Sequence, residues 1–209
     1  MYLEDFIEVH RPLNYWRELL HEWLFLVNRV YRVSNRNAAV YAEKERANTG
    51  LLAAAATRNG WVALEECRAQ KVDKYLAGEE YIGRCDLMLW RDSRHHIIEA
   101  KHVRFPMWAR STSRIHRAHM KALADSERST SSGYRSEKMV AVTYIVPVIK
   151  PMQFNAMTEE EISARLREVV ADVRSQHSPT FMSYAFPGPV ALHGSPNLGL
   201  GVILIGKIT

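Results

Sequence analysis

The sequence predicts an α/β domain with a mixed central sheet flanked by helices, and three observations carry that prediction. Apolar runs too short for helices, Trp61–Leu64, Leu87–Trp90, Ile97–Ile98, Val140–Val148 and Val202–Ile205, read as strands. Longer stretches before and between them repeat their apolar residues at helical spacing. The polar Arg91-Asp92-Ser93-Arg94 sits between two of the apolar runs as a hairpin turn.

A chain of 209 residues is enough for one well-buried core and too short for two full domains. One domain over 1–209 is expected: an N-terminal helical extension over 1–35, a core over 36–150, and a C-terminal helix and strand over 151–209. Hydrophobic content of 47% and charged content of 24% are those of a folded protein, not a disordered one. The net charge of +5 favours an anionic partner mildly. Met1-Tyr2-Leu3-Glu4-Asp5 is acidic where a secretory signal is basic, and the apolar runs are too short to span a bilayer. A soluble, cytoplasmic protein with no membrane partner is the expectation. Cys67 and Cys85 form no CxxC, so neither a disulfide framework nor a zinc site is indicated.

From Pro12 to Val33, Trp16, Leu19, Leu20, Trp23, Leu24, Val27, Val30 and Tyr31 recur at helical spacing, with the proline at home in the first turn. Trp16, Trp23 and Phe25 pack on the domain itself or, alternatively, offer a homodimer surface. Asn35 is a cap for a second helix running to Thr57 and closed by Asn59-Gly60. Trp61–Leu64 is the first core strand, with Glu65 and Glu66 after it on the surface or reaching the site as extra acids. The polar segment Arg68–Glu80 reads as a connection. A third helix is expected from Pro106 to Ser126, with Arg110, Arg114, Arg117 and Lys121 on one face. Ser129–Glu137 reads as a loop, either over the cleft or a plain connection. Val140–Val148 is a buried strand, and Thr158 with Glu161 forms a capping box opening a helix with Ile162, Leu166, Val169, Val170 and Val173 as its apolar stripe. A loop over Pro179–Gly194, with room for a short strand at Phe181–Phe186, leads to the last strand.

The chemistry concentrates at 84–101. In an antiparallel hairpin centred on Asp92-Ser93, Trp90 faces His95, Asp86 faces Glu99 and Arg84 faces Lys101. Opposed side chains on one sheet face have Cβ atoms about 4.5–5.5 Å apart, and like charges there are destabilising unless a cation lies between them. Hard divalent ions take such oxygen ligands. Glu99 and Lys101, two apart in a strand, share a face. Two carboxylates holding a metal beside an ammonium can activate water and stabilise developing negative charge.

An acid on one strand followed by Glu-x-Lys on the next, here Asp86 and Glu99-Ala100-Lys101, resembles the PD-(D/E)XK nuclease superfamily, also called restriction-endonuclease-like. Cys85 stands where that family's proline precedes the acid. The predicted order of helix, three strands, helix and strand is similar to the family's αβββαβ core, here with an extra N-terminal helix.

The resemblance implies a metal-dependent nuclease hydrolysing phosphodiester bonds, in DNA rather than RNA. Mg²⁺ or Mn²⁺ would be held by Asp86 and Glu99, with the Ala100 carbonyl as a further ligand, and Lys101 would assist the attacking water. It also implies a third acid on the preceding helix, Glu45 or Glu43, with Glu45 favoured by its alignment with Leu52.

Between Arg91 and Arg128, nine Lys or Arg stand against four Asp or Glu, together with five of the nine histidines. A cationic helix face of Arg110, Arg114, Arg117 and Lys121 suits a phosphodiester backbone. His96 and His102 flank the site, and the histidines lack zinc-hydrolase spacing. The alternative is a catalytically inactive module of the same fold, binding nucleic acid or a protein. No G-x-S-x-G and no P-loop is present.

Overall fold

The structure, a computed structural model, describes residues 2–73, 79–129 and 137–209. Its strands are β1 (Phe6–Val9), β2 (Val62–Asp73), β3 (Glu79–Arg91), β4 (Arg94–Pro106), β5 (Glu137–Ile149), β6 (Phe181–Ala185), β7 (Val190–Ala191), β8 (Leu198–Gly199) and β9 (Val202–Ile208). Its helices are α1 (Arg17–Val33), α2 (Glu45–Arg58), α3 (Ser113–Arg128), α4 (Pro151–Asn155) and α5 (Glu159–His177). The strands form a mixed nine-stranded sheet among the described residues, in the order β1-β6-β9-β5-β4-β3-β2, with β8 against β5 and β7 against β8. Only β4 and β5 run parallel there, joined by the α3 crossover.

β5 is central because it is apolar on both faces: every residue from Val140 to Ile149 is buried. Helices cover both sides. Trp16, Trp23, Leu52, Leu87, Leu89, Ile98, Val142 and Tyr144 join α1 and α2 to one face. On the other, Ile115 of α3 and Leu166 and Val169 of α5 pack with Phe105, Ile145 and Ile203. Trp16 and Trp23 are fully buried in their own domain, while Phe25 is 43% exposed. Most of the apolar stripe of α1 is therefore consumed within its own domain. No helix is long and apolar enough to cross a membrane among the described residues.

Several sequence expectations shift. The N-terminal helix starts at Arg17, behind a 3-10 turn over Arg11–Trp16, and β1 precedes it, paired to β6. Asn35 does not cap the second helix: Asn35 and Arg36 adopt left-handed backbone (φ 52° and 66°), and α2 begins only at Glu45. Its end is as predicted, at Asn59 and a left-handed Gly60 (φ 76°). The polar stretch from Arg68 is strand, because β2 and β3 form a long hairpin extending to Asp73 and Glu79. Residues 74–78 of that stretch, and 130–136 of the serine-rich loop, lie outside the described residues. The capping box of Thr158 and Glu161 forms as expected, with both reciprocal bonds made.

Candidate active site

The predicted hairpin register holds from the turn outward: Trp90 pairs with His95, Leu89 with His96 and Leu87 with Ile98. Asp92 occupies the turn with φ 54°, a conformation Asp tolerates better than most residues. Beyond Leu87 and Ile98 the ladder stops. β4 stays with β5 as far as Pro106, and β3 stays with β2. The sheet thus forks, and Asp86 lies at the crotch. The β2–β3 ladder also skips there, between Glu65–Leu87 and Cys67–Cys85, and Glu66 opposite Asp86 has φ 54°.

This fork corrects part of the expectation. Asp86 and Glu99 do not form a ladder pair, and Arg84 pairs with Arg68 of β2 instead of facing Lys101. The cause is a side chain that replaces the main chain: Asp86 Oδ2 accepts the Ala100 N–H at 2.6 Å. A charged acceptor makes a stronger bond than the neutral carbonyl it displaces.

The exposed edge of β4 is then met by polar groups. Lys101 Nζ donates to the Ala100 carbonyl at 2.7 Å, and stands 3.1 Å from Asp125 Oδ2 of α3 and 4.0 Å from Asp86 Oδ2. Burial alone would lower the Lys101 pKa, but the hydrogen bond to Asp125 and the charges of Glu45 and Asp86 outweigh it, so the ammonium is held more firmly than usual. Glu45, in the first turn of α2, accepts the His102 N–H. Burial raises its pKa, the Lys101 ammonium opposes that rise, and Asp86 adds to it. Glu43 is exposed in the loop before α2, so of the two candidate third acids only Glu45 joins the fork.

Glu99, 3% exposed, is bound by Lys71 Nζ at 2.8 Å and by Ser129 Oγ at 3.3 Å. Burial nonetheless pushes its carboxyl up to about 7, against the lowering effect of Lys71 and with a further push from Asp86. Lys71 and Ser129 were not legible as neighbours of this site. Lys71 lay in a stretch that reads as connection, and only the β2–β3 arm brings it to Ser129 and Glu99. Asp125 was hidden for a different reason: it lies four residues after Lys121 on a helix that reads as purely cationic.

A cavity of about 30 Å³, close to the volume of one water, is lined by Glu45, Arg46, Thr49, Glu65, Glu66 and Asp86. Glu65 and Glu66 are exposed at its rim, so the alternatives left open for them coincide. Among the described residues, no three His, Cys, Asp or Glu side chains stand together at coordinating spacing. The oxygen donors present, the carboxylates of Asp86, Glu45 and Glu99 and the Ala100 carbonyl, still suit Mg²⁺ in kind. That ion is held by one or two carboxylates with water and substrate completing its shell, not by a closed protein cage. The ammonium on the Ala100 carbonyl, beside Asp86, marks a point where positive charge is stabilised.

The other predicted residues divide. Arg114, Arg117 and Lys121 lie exposed on α3, and the Lys121 charge is felt at Glu45. Arg110 does not belong to that stripe: Pro106–Thr112 is not helical, Met107 is buried with its N–H on the Val148 carbonyl, and Arg110 lines a separate cavity with Arg165 and Asp172. His102 flanks the site through its main chain. His96 does not, because its ring packs against Tyr15, Trp16 and Trp61, with the Tyr15 hydroxyl 3.1 Å from Nε2.

Comparison of the chain with protein-family models, curated proteins and solved structures gave no match.

Proposed function

We propose that this chain is a metal-dependent nuclease of PD-(D/E)XK type, with a restriction-endonuclease-like core, hydrolysing phosphodiester bonds with DNA as its substrate. The observation that carries the reading is the fork itself. Asp86, Lys101 and Glu45, drawn from two strands and a helix, gather where β3 leaves β4, and the charge of Asp86 reaches Glu99 on β4. Asp86 and Glu99 would hold Mg²⁺ or Mn²⁺, with the Ala100 carbonyl and Glu45 adding oxygen donors. The bound ion supplies Lewis acidity toward a phosphoryl oxygen and lowers the pKa of coordinated water.

Lys101 is kept protonated by Asp125, so its role is to orient the attacking water and stabilise charge developing on the phosphate, not to take up a proton. Arg114, Arg117 and Lys121 would neutralise backbone phosphates beside the site without reading sequence.

The test is incubation of plasmid, linear duplex, single-stranded DNA and RNA with Mg²⁺ or Mn²⁺, beside an EDTA control and Lys101→Ala. Cleavage lost in both controls supports the nuclease. A wild type that binds nucleic acid but cuts nothing would identify the fork as part of a binding module.

A further inference from the structure

Next to the fork lies a second cavity, about 480 Å³, lined by Glu43, Lys44, Arg46, Ala47, Arg104 and His193. Cavities of this order accept a small ligand. Arg46 lines both this cavity and the small acidic one at Asp86, so the two adjoin through a single side chain. Arg104 comes from β4, two residues beyond His102, which places it further along the same strand edge. Its guanidinium is fixed by neutral acceptors: Nη1 donates to the His193 carbonyl at 3.1 Å and Nη2 to the Ala42 carbonyl at 3.0 Å.

Among the described residues, Arg104, Lys44 and Arg46 make no ion pair, in contrast to Lys71 and Lys101 a short way along the cleft. Glu43 is the single acid in the lining, and among the described residues it too stands outside the ion pairs. Three cations at one cavity with no carboxylate in ion-pair contact, one of them immobilised, attract an anion, even though Arg46 also borders the acids of the smaller cavity. A guanidinium held in place matches phosphate geometry best.

We propose that this cavity binds a phosphate group, that of the nucleotide adjacent to the scissile bond, so that a nucleic-acid strand runs from Lys121 across Lys101 to Arg46 and Arg104. The inference rests on the nuclease reading for the identity of its ligand, though not for the existence of the anion site. Lys44 and Arg46 neutralise the charge of the phosphate, and Arg104 fixes its position. The α3 stripe alone would hold the strand on one side of the fork only.

The experiment measures binding, separate from cleavage. Fluorescein-labelled single-stranded DNA is titrated in EDTA by anisotropy at several salt concentrations with wild type, the Lys44→Ala/Arg46→Ala double variant and Arg104→Lys. The double variant is expected to bind about tenfold more weakly at low salt, with the slope of log affinity against log salt shallower by about 0.7 for the one phosphate no longer neutralised. Arg104→Lys keeps the charge and loses the carbonyl ties, so a smaller loss is expected.

A parallel arm follows the His193 ring resonances while inorganic phosphate is added. A saturable shift in wild type that is absent in the double variant supports the site. Unchanged affinity and slope, with no phosphate-dependent shift at His193, overturn it even if the wild type cuts DNA. A His193 shift in a protein that neither binds nor cuts nucleic acid would support the anion site, assign it to a free phosphate compound, and overturn the nucleic-acid reading.

Discussion

β3 and β4 are one hairpin with two unlike halves. From Leu87 and Ile98 to the turn, main chain pairs with main chain, and Leu87, Leu89 and Ile98 are sealed in the core beneath α1 and α2. From Asp86 and Glu99 outward the strands part, and the β4 edge is satisfied by carboxylates: Asp86 takes the Ala100 N–H and Glu45 the His102 N–H. The closed half is stabilised by area removed from water. The open half gives up ladder hydrogen bonds and gathers acids that repel one another. The difference teaches where chemistry can reside in such a sheet: at the point where it stops pairing with itself, yet stays rigid because β4 continues to be held by β5.

Mutations should separate the two halves. In the open half, Asp86→Asn keeps an acceptor for the Ala100 N–H while removing the charge, so cleavage should fall by about 100-fold or more with little change in melting temperature. Lys101→Ala should behave alike. In the closed half the pattern reverses: Leu87→Ala, at a fully buried position, should cost about 2–5 kcal/mol in urea unfolding. Equal activity losses without destabilisation in Leu87→Ala would erase the distinction.

A smaller effect comes from acid. Burial holds His96 at about 3 and His102 at about 4, with nearby cations pushing the same way, and His119 of α3 also at about 4. A histidine whose folded pKa lies below its unfolded value near 6.5 contributes stability present above pH 6.5. That stability is lost as pH falls toward the folded value. Glu99, raised to about 7, acts in the opposite sense over the same window. The three histidines outnumber it, so the urea midpoint should drop between about pH 6.5 and pH 4, and more steeply in Glu99→Gln. A flat profile in Glu99→Gln would contradict neutral burial of these rings. The smallest effect is expected on α3, outside both halves. Arg114→Ala should leave stability unchanged and make the salt dependence of duplex DNA binding shallower by about 0.9, checked by anisotropy.

Much of the closed half was legible in the sequence, because a two-residue periodicity and a polar turn fix register locally. The pairing of Trp90 with His95 follows from Asp92-Ser93 alone. Glu99, Lys101 and Asp86 could be nominated for the same reason, as residues a few positions from a well-marked turn. The fork was not legible. It depends on Asp86 outcompeting a main-chain carbonyl and on a left-handed Glu66 in the neighbouring strand, and neither has a local sequence signal. Lys71 and Asp125 were missed because their roles come from long-range packing of the β2–β3 arm and of α3 against β4. Arg110 was misplaced because four-and-three spacing continues past the true helix start at Ser113, where Thr112-Ser113 begins the helix and Met107 turns into the core.

The measurement that bears most directly on the fork as a metal-dependent centre is titration of Mn²⁺ into the protein by calorimetry, with Asp86→Asn and Glu99→Gln alongside wild type. Saturable binding by wild type, weakened at least about tenfold in each variant, is the predicted result, since charged oxygen ligands dominate affinity for such ions. Wild-type protein that takes up no Mn²⁺, or variants that bind it as well as wild type does, would contradict the assignment of these carboxylates.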